Sequence, residues 1–485
     1  MTLKGYSIGF ILFLSLGLLE GCVSLGGNPG FRDVSKTVQK RMGVQIEKQG
    51  KESAKEIDQT IRPLLGGKLT ADGAVKIALL NNHELQAEFE ELGIAKADLL
   101  QATLVRNPHL EGFARSGGGG TNTEFSVSQD VMDILLMPLR RRVASAQFEQ
   151  AKLRVADAVL SLIAEVKTAF YEVEAAEQVK AFQKTVLEAS ETATELASRQ
   201  HEAGNLKELD FANEQVVYEQ AQLDFNRSQA AVLAAREPFI RLLGLSGDEA
   251  ANWQVESELP ELPSGDPVLT NLEEKALSQR LDLAAVRKQI EVFRRSLTAA
   301  RFGVIPQAEA GFNTEKETDG QRMTGPTWNV EVPVFNWQQG ARARNKAQLR
   351  QSQYTVTAFE VQVRSEVREA YNRLSAARIT TERYQGKIIP LREQIVGLTQ
   401  QQYNFMLMGV YQLLQAKQNE ILARRTYIEA LKEYWIARAN LERAIGGKLQ
   451  ELKVLPKAQS QRSAQSQQVA APMQQHEQQH GSGGQ

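Results

Sequence analysis

The chain has 485 residues, with 57 lysines and arginines against 58 aspartates and glutamates, so its formal net charge at pH 7 is −1. This balance gives no reason to expect nucleic acid as a partner, and a single cysteine excludes an internal disulfide bond. The length allows roughly two to four ordinary domains, so the order of elements along the chain must define the architecture.

The N-terminus has the pattern of an export signal. The apolar run 8–19 is about 12 residues long, which suits a secretory signal and is too short for a membrane span of roughly 20. The sequence LEGC then ends at Cys22, as in bacterial lipoprotein signals that are cut before an acylated cysteine, although Glu20 departs from the small or uncharged residue usual there. We predict a signal peptide over 1–21 and lipidation of Cys22; an ordinary signal peptide with a free thiol is the alternative. Val23, in place of an aspartate, favours the outer membrane.

An internal repeat with a period of about 200 residues organises the chain. Segment 69–110 aligns with segment 269–310, and Pro108 corresponds to Pro306; further on, Gly204 is matched with Gly409. The predicted organisation is a signal peptide (1–21), an N-terminal anchor segment (22–68), repeat 1 (69–245), a linker (246–268), repeat 2 (269–447), and a final segment with a disordered Gln- and Ser-rich tail (448–485).

Each repeat predicts a helix, a strand pair, a very long helix, a turn and a medium helix. In repeat 1 the first helix covers 72–105 and stops before Pro108, the long helix covers 139–200, and the last helix returns to Leu243. About 60 helical residues at 1.5 Å each span near 90 Å, more than one globular core needs. A coiled-coil seam along the long helix is predicted at Val166, Ala169, Val173, Ala176, Val179, Phe182, Val186, Ala189, Ala193 and Leu196.

Two short segments, 107–130 and 305–334, alternate apolar and polar residues as strands do. The alternation is clear in three of the four strands, whereas LEGFARS mixes Glu111, Phe113 and Arg115 on one parity. One face is predicted to carry Phe125, Val127, Phe312, Trp328 and Val330, and the other Glu124, Asp130, Glu309, Glu315 and Glu331.

Apolar-out and polar-in strands of about 9–11 residues are what a membrane β-barrel requires, although a soluble half-buried sheet gives the same alternation. The polar connections GGGG and EKETDGQRMTG, together with the export signal, favour the membrane interpretation. Four strands cannot close a barrel, and an open strand edge is not tolerated in lipid. The membrane interpretation therefore requires self-association.

At this point the chain resembles the TolC-type outer-membrane factors, in their lipoprotein branch. The resemblance covers about 69–447 and rests on the duplicated unit and on the segments MPLRRRVASAQFEQAK and VPVFNWQQGARARNKAQL after the strand pairs. It rests also on the turns RQHEAGNLKELDFANEQ and QQYNFMLMGVYQLLQAKQNE. The fold it implies is mainly α with a small β part: a homotrimer whose helices form an α-helical barrel, continued by a 12-stranded transmembrane β-barrel with four strands per chain. The linker and the segments flanking the repeats would form an equatorial girdle.

The function that the resemblance implies is a passive exit duct across the periplasm, in a tripartite efflux system or in type I secretion. A periplasmic membrane-fusion adaptor would open the duct, and an inner-membrane pump of the RND or ABC type would supply the energy. Such a channel performs no covalent chemistry and needs no cofactor. The expected location is the outer membrane, in contact with its lipid.

In the family the inner helix ends close the tunnel and meet the adaptor, which points to the turns at Gly204 and Gly409. Asp210 matches the aspartate that often follows the first turn, whereas Met406 and Tyr411 stand where its tyrosine and arginine partners would be. The charged latch is thus not preserved, and Gln415 replaces a constricting aspartate. We predict instead a gate closed by the packing of Leu407, Met408, Val410 and Tyr411; simple packing within the hairpin is the alternative.

The carboxylates on the polar strand face, tripled in a trimer, predict a negative lumen that favours cations. The alternative is that they pair with Arg115 and Arg322 or face bulk water. The pattern also resembles family divisions that serve metal-cation efflux, but the helices carry no methionine or histidine array, so the substrate stays open. His476 and His480 in the tail lack carboxylate or thiol neighbours, and no metal site is predicted.

An enzyme is the obvious rival class. The remaining histidines, His83, His109 and His201, have no cysteine or carboxylate at catalytic spacing, and GGGG lacks the lysine of a phosphate-binding loop. A lipid-anchored periplasmic coiled-coil scaffold without a pore is the more serious alternative. It would behave as an elongated species without conductance, whereas the channel would give a trimer with discrete current steps.

Overall fold

The structure, a computed structural model, describes residues 30–47, 54–117, 120–265, 271–302 and 306–449. The predicted signal peptide, Cys22 and the histidines of the tail lie outside these residues. Most of the described chain forms one compact unit, while 263–265 and Leu449 belong to a second, small unit. None of the helices in the described ranges is long and apolar enough to span a membrane.

The single helix predicted at the start of repeat 1 is split into two shorter helices. Thr70 caps the first of them by accepting the Gly73 N–H, at 3.1 Å. The break falls at Asn82, whose Oδ1 accepts the Leu85 N–H at 2.8 Å and thereby starts a new helix. The elements up to the strands are α1 (Phe31–Met42), α2 (Ala54–Leu65), β1 (Lys68–Leu69), α3 (Ala71–Asn81) and α4 (His83–Gln101).

The long helix of repeat 1, α5 (Val131–Glu202), has 72 residues and therefore extends about 108 Å at 1.5 Å per residue. It begins eight residues before the predicted start at 139, because Asp130 caps it: its carboxylate accepts the Asp133 N–H at 2.9 Å. Pro138 lies inside the helix, where its ring removes a single backbone hydrogen bond. The chain returns as α6 (Glu208–Leu243), followed by α7 (Asp248–Ala251) and β4 (Gln254–Val255), which pairs in parallel with β1.

The predicted seam of α5 is correct in its first part and wrong in its last. Val166 and Val173 are fully buried, but Leu196 is 58% exposed. The buried positions are displaced by one residue, to Gln183, Ser190 and Ala197. Gln183, Ser190 and Ala197 are seven residues apart, so the seam keeps its heptad repeat. The prediction is displaced by one residue because it takes two successive steps of three at Ala176, Val179 and Phe182.

Repeat 2 follows the same order with one difference in its long helix. Arg280 breaks its first helix where Asn82 breaks that of repeat 1, with an extended backbone at φ −62° and ψ 127°. The long helix is interrupted by a π-helical segment, Tyr384–Ile388, just before Pro390. The elements are α8 (Leu272–Gln279), α9 (Leu281–Phe302), β5 (Gln307–Lys316), β6 (Arg322–Glu331), α10 (Gln339–Arg383), α11 (Ile389–Asn404) and α12 (Val410–Ile445).

One four-stranded antiparallel sheet unites the strand pairs of both repeats. Its order is β2 (His109–Gly117), β3 (Gly120–Asp130), β5, β6. β3 pairs with β5 across the repeats, with Glu124 opposite Glu315 and Asp130 opposite Glu309. The outer edges of β2 and β6 have no strand partner among the described residues.

The main hydrophobic core lies where the helix breaks of repeat 1 meet its long helices. Phe89 and Phe239 are completely buried, and α1 packs its own apolar stripe, Val34 and Val38, into the same cluster. Asn81 and Asn82 tie the helix break to the end of α6, because their side-chain amides donate to the carbonyls of residues 242–244. The core therefore fixes the level at which the long helices leave for the sheet and for the turns.

Candidate functional site

The sheet has one polar face, held together by hydrogen bonds between strands. Asn313 donates to Glu124 Oε1 at 2.8 Å, and Asn122 donates to Glu315 Oε1 at 2.7 Å. Glu309 accepts from the Ser128 hydroxyl at 3.4 Å. The register across β3, β5 and β6 places Glu124, Glu309, Glu315 and Glu331 on this single face.

The opposite face of the sheet is apolar and uncovered in the single chain. Phe125 is 54% exposed, Phe312 60% and Trp328 80%. Val127 and Val330 share this face, because Val127 pairs with Phe312 and Val330 with Ala308. Water does not tolerate a contiguous apolar face of this kind on a monomeric protein, so the face marks an interaction surface.

The first strand, whose alternation the sequence left unclear, follows the same two faces. Leu110 pairs with Val127 on the apolar face and is 66% exposed. Glu111, Phe113 and Arg115 lie on the polar face, where the Arg115 guanidinium stands 5.8 Å from the Phe113 ring centre. Covering part of its ring with a cation lets Phe113 occupy a polar face.

Asp130 does not have the role predicted for it in the lumen. By register it shares the polar face, but it is only 8% exposed and its carboxylate caps α5. Arg106 lies 3.6 Å from the same carboxylate. The last residue of a strand that also begins a helix is a cap position, and this use takes precedence over facing the interior.

The alternative pairing of the strand carboxylates with Arg115 and Arg322 is not observed. Glu124 and Glu315 take amide partners instead, and no carboxylate of the polar face reaches a cation in the described part of the sheet. Arg322 pairs with Lys316 on the apolar parity, so it points away from the carboxylates. Glu124, Glu309, Glu315 and Glu331 therefore form no ion pair within the described part of the chain.

The turn between α5 and α6 is compact and polar. Gly204 has φ +77°, the left-handed conformation that a helix end of this type requires. His201 braces the turn: Nδ1 lies 3.0 Å from the Leu206 carbonyl, Nε2 lies 2.9 Å from Glu208, and the ring stacks on Phe211. Asp210 lies in the first turn of α6, where a carboxylate favours the positive end of the helix dipole.

The turn between α11 and α12 has the same backbone with a different residue at its critical position. Met406 has φ +58°, so it, and not Gly409, is the counterpart of Gly204. The offset agrees with the helix ends, since 406 − 204 and 446 − 244 both equal 202 for residues of left-handed conformation. The predicted match of Gly204 with Gly409 is therefore wrong. Gly409 is the residue preceding α12, with φ −83°.

The second turn also presents apolar side chains to its surroundings. Met406 is 94% exposed, and neighbouring Phe405, Leu407 and Tyr411 are 76%, 75% and 60% exposed. Within one chain these side chains do not pack the hairpin, which disfavours the alternative proposed for them. Met408, at 39%, is the least exposed of the four residues 405–408.

Sequence reasoning missed a buried carboxyl near the middle of α5. Glu174 is 3% exposed, and its Oε2 has no hydrogen-bond partner among the residues that the structure describes. Burial, together with the charge of Glu256, raises the pKa of Glu174 to about 8. Its helical neighbours Val173 and Ala175 are buried as well, but Glu172 and Glu177 stand on either side, so the sequence does not distinguish Glu174 from the exposed Glu172.

A duplicated helix–strand–helix chain with an exposed apolar sheet face defines a class of membrane-associated channel-like proteins. The family model "Outer membrane efflux protein" matches residues 75–245 and 272–447, and the chain belongs to that family. It is accordingly an outer-membrane efflux protein, and the predicted location is confirmed.

Individual relatives are distant in sequence and close in fold. The cobalt-zinc-cadmium resistance protein CzcC of Cupriavidus metallidurans is 22% identical over 390 residues, which cover 78% of this chain and 90% of CzcC. The crystal structure of a membrane protein from Pseudomonas aeruginosa aligns with a TM-score of 0.69 at 17% identity, over 79% of this chain and 92% of that one. The CmeC outer membrane channel of Campylobacter jejuni aligns with a TM-score of 0.68 at 15% identity, over 84% and 91%. At these identities the structures establish the shared fold.

Proposed function

We propose that the protein is the outer-membrane channel of a tripartite efflux system and works as a homotrimer. The observation that carries this proposal is the sheet, which has four strands, two unpaired edges and one exposed apolar face. Three copies joined edge to edge, β6 of one to β2 of the next, give twelve strands and leave no open edge. Phe125, Val127, Phe312, Trp328 and Val330 would then face lipid.

The helices support the same assembly, because the outermost helices carry unpartnered apolar stripes. On α6, Leu209, Val216 and Leu223 follow one another at seven-residue spacing and are 71%, 67% and 51% exposed. On α11, Leu391 and Leu398 are 56% and 52% exposed at the same spacing. Stripes of this period form a coiled-coil seam when a second helix covers them. The proposed occupant is the facing stripe of the neighbouring copy.

The polar face of the sheet would line the lumen of the pore. Glu124, Glu309, Glu315 and Glu331 from three chains would give twelve carboxylates without a cationic partner in the described sheet, so the pore would prefer cations. CzcC carries cobalt, zinc and cadmium in its name, which is compatible with such a preference.

The turns would form the periplasmic gate and the contact with an adaptor. Six hairpin ends meet in a trimer, and the exposed Met406, Met408 and Tyr411 would close the centre by apolar packing. Gly204, Asp210, Gly409 and Val410 would frame the surface that the adaptor meets. A pump of the RND or ABC type would supply the energy, since a channel of this kind has no source of its own.

The lipid anchor at Cys22 is compatible with the position of α1. Lys152 of α5 binds Asp33 at 2.8 Å, about 32 Å below the first residue of α5 for 21 residues at 1.5 Å each. Asp33 lies within α1, which begins at Phe31, and Gly30 lies beside Phe148, 17 residues or about 26 Å from the first residue of α5. The eight residues from Cys22 to Gly30 span at most about 27 Å, so acyl chains on Cys22 can reach the level of the sheet. Mass spectrometry of the mature protein, with Cys22→Ser as control, tests the anchor: an unmodified N-terminal peptide would remove it.

Single-channel recording of the purified protein tests the main proposal. We expect a detergent-stable trimer and discrete current steps with cation preference. The quadruple change of Glu124, Glu309, Glu315 and Glu331 to Gln should strongly lower the preference but keep the steps, because Glu111 and the capping Asp130 are the carboxylates of the polar face that remain. Asp130→Asn is the matched control, because that carboxylate caps α5 and should leave selectivity unchanged. A monomer without conductance would instead support the scaffold alternative.

A further inference from the structure

At one end of the sheet, each of the four strands continues into a neighbouring segment of the chain. The register pairs His109 with Ser128, Asp130 with Glu309 and Gln307 with Glu331, so the chain enters and leaves all four strands at that end. The segments next to it are 102–108, 131–142, 294–302 and 332–346. We call them together the collar.

The collar is strongly basic. It holds ten lysines and arginines and a single carboxylate, Asp133. Asp133 is bound by Arg106 and Arg140, and Arg295 pairs with Glu291. The other seven cations have no carboxylate within salt-bridge distance in the described ranges, and all but Arg342 are exposed: Arg141, Arg142, Arg294, Arg301, Arg342, Arg344 and Lys346.

The collar also concentrates exposed apolar side chains. Phe335 is 92% exposed and Trp337 59%. The Trp337 indole N–H donates to the Val334 carbonyl at 2.9 Å, so the ring can lie on an apolar surface without an unsatisfied donor. The full set is Leu104, Val105, Val131, Ile134, Leu135, Phe302, Val332, Val334, Phe335 and Trp337.

We propose that the collar binds the headgroups of anionic phospholipids in the periplasmic leaflet of the outer membrane. This inference rests on the proposed channel function, which puts the end of the sheet at the membrane surface. Aromatic and aliphatic side chains interleaved with arginines match that boundary, where rings lie among acyl chains and guanidinium groups bind phosphates by paired hydrogen bonds.

Charge distinguishes the lipid from the other possible occupant, a second copy of the chain. In the proposed trimer, β6 of one copy lies beside β2 of the next, so segments 332–346 and 102–108 of neighbouring copies are adjacent and the seven cations of each copy lie at one level. These like charges repel one another, so a further copy of the chain is a poor occupant for the outer surface of the collar. Phosphate groups would neutralise them instead. Each basic residue near an anionic bilayer strengthens the binding of a protein to that bilayer by about fivefold. The collar should therefore bind anionic lipids in preference to neutral ones.

The test measures binding of phosphatidylglycerol and phosphatidylcholine of equal chain length to the purified trimer by native mass spectrometry. The wild type should prefer phosphatidylglycerol at least fivefold, on the order expected for one basic residue. The variants Arg141→Gln/Arg142→Gln and Arg344→Gln/Lys346→Gln should each lower that preference, and the combination of all four changes should lower it further than either pair. The control is Arg383→Gln/Lys387→Gln, which removes two exposed cations from the helices far from the sheet and should retain the preference.

The outcomes separate the collar from the channel. Equal affinity for the two lipids in the wild type, or an equal loss in the control variant, would overturn the collar proposal while leaving conductance intact. Trimers that dissociate only in the collar variants would also overturn it, because the segments would then be contacts between copies. If the wild-type protein showed no conductance, the channel function itself would be contradicted, whichever lipid the protein binds.

Discussion

Replacement of Gly244 by alanine should destabilise the protein far more than the same change at two other glycines of the same backbone conformation. Gly244 ends α6 with φ +68°, and a Cβ atom there would lie 2.4 Å from the carbonyl oxygen of Asn81. Gly43 and Gly204 have φ +73° and +77°, but a Cβ atom at either position meets nothing within 4 Å. The three substitutions share one backbone cost and differ in the collision.

The magnitude follows from these contacts. A left-handed alanine costs about 1 kcal/mol at each of the three positions. At Gly244 the collision must also separate α6 from α3, which breaks the bonds from the Asn81 side-chain amide to the Leu243 and Gly244 carbonyls, at 3.2 and 2.8 Å. Each such bond contributes about 1 kcal/mol, so Gly244→Ala should cost about 3 kcal/mol in total.

Urea unfolding of the detergent-solubilised protein, followed by circular dichroism at 222 nm, measures the difference. The midpoint for Gly244→Ala should fall clearly below those of Gly43→Ala and Gly204→Ala, which should resemble each other. Equal midpoints for all three variants would refute the argument that α3 packs against the end of α6 through the Asn81 carbonyl. The required control is that each variant has the same oligomeric state as the wild type before denaturation, checked by gel filtration.

Three further changes test other sites. Because the pKa of Glu174 is raised to about 8, the folded state favours its protonated carboxyl, so the contribution of Glu174 to stability is greatest below pH 4.5 and is lost as the pH rises towards 8, by at most about 1.4 kcal/mol per pH unit. Glu174→Gln should flatten this dependence in pH-dependent urea melts, whereas Glu172→Gln, at an exposed position, should not. Met406→Gly relieves the left-handed backbone of a non-glycine residue, whereas Met406→Ala removes the same side-chain packing and keeps that strain. Amide exchange at the second turn should therefore be two- to fivefold slower in the glycine variant than in the alanine variant, about 0.5–1 kcal/mol, and equal exchange would contradict the strain. Asp130→Ala should lower stability by about 1 kcal/mol through the lost cap without altering ion selectivity; a changed selectivity would return Asp130 to the lumen.

Alternation with a period of two predicted the faces of the sheet, because each strand has one apolar and one polar side and the register follows from that difference. Phe125 and Glu124 could be assigned from sequence for this reason. The first strand could not be assigned, since Phe113 lies on the polar face and is covered by Arg115, an arrangement visible only in three dimensions. The cap role of Asp130 depends on where α5 begins, and sequence placed that start eight residues too late.

The turns illustrate a second limit of sequence reasoning. Glycine is the usual left-handed residue at a helix end, so Gly409 was matched to Gly204, whereas the backbone assigns this conformation to Met406. No local sequence pattern predicts that a methionine takes the left-handed conformation at this helix end. The sequence likewise does not predict the π-helical segment at Tyr384–Ile388, although Gly386 and Pro390 have low helix propensity.

The two kinds of unsatisfied surface on the chain explain why the sheet and the helices must assemble together. The helices leave single apolar stripes on α6 and α11, which an isolated chain could tolerate in water at some cost. The sheet is different, because in the proposed trimer lipid would cover its apolar face, and strands of the other copies would pair with its two edges, which are open among the described residues. A chain inserted alone would expose the edges of β2 and β6 to hydrocarbon, so insertion should follow association of the helices and not precede it.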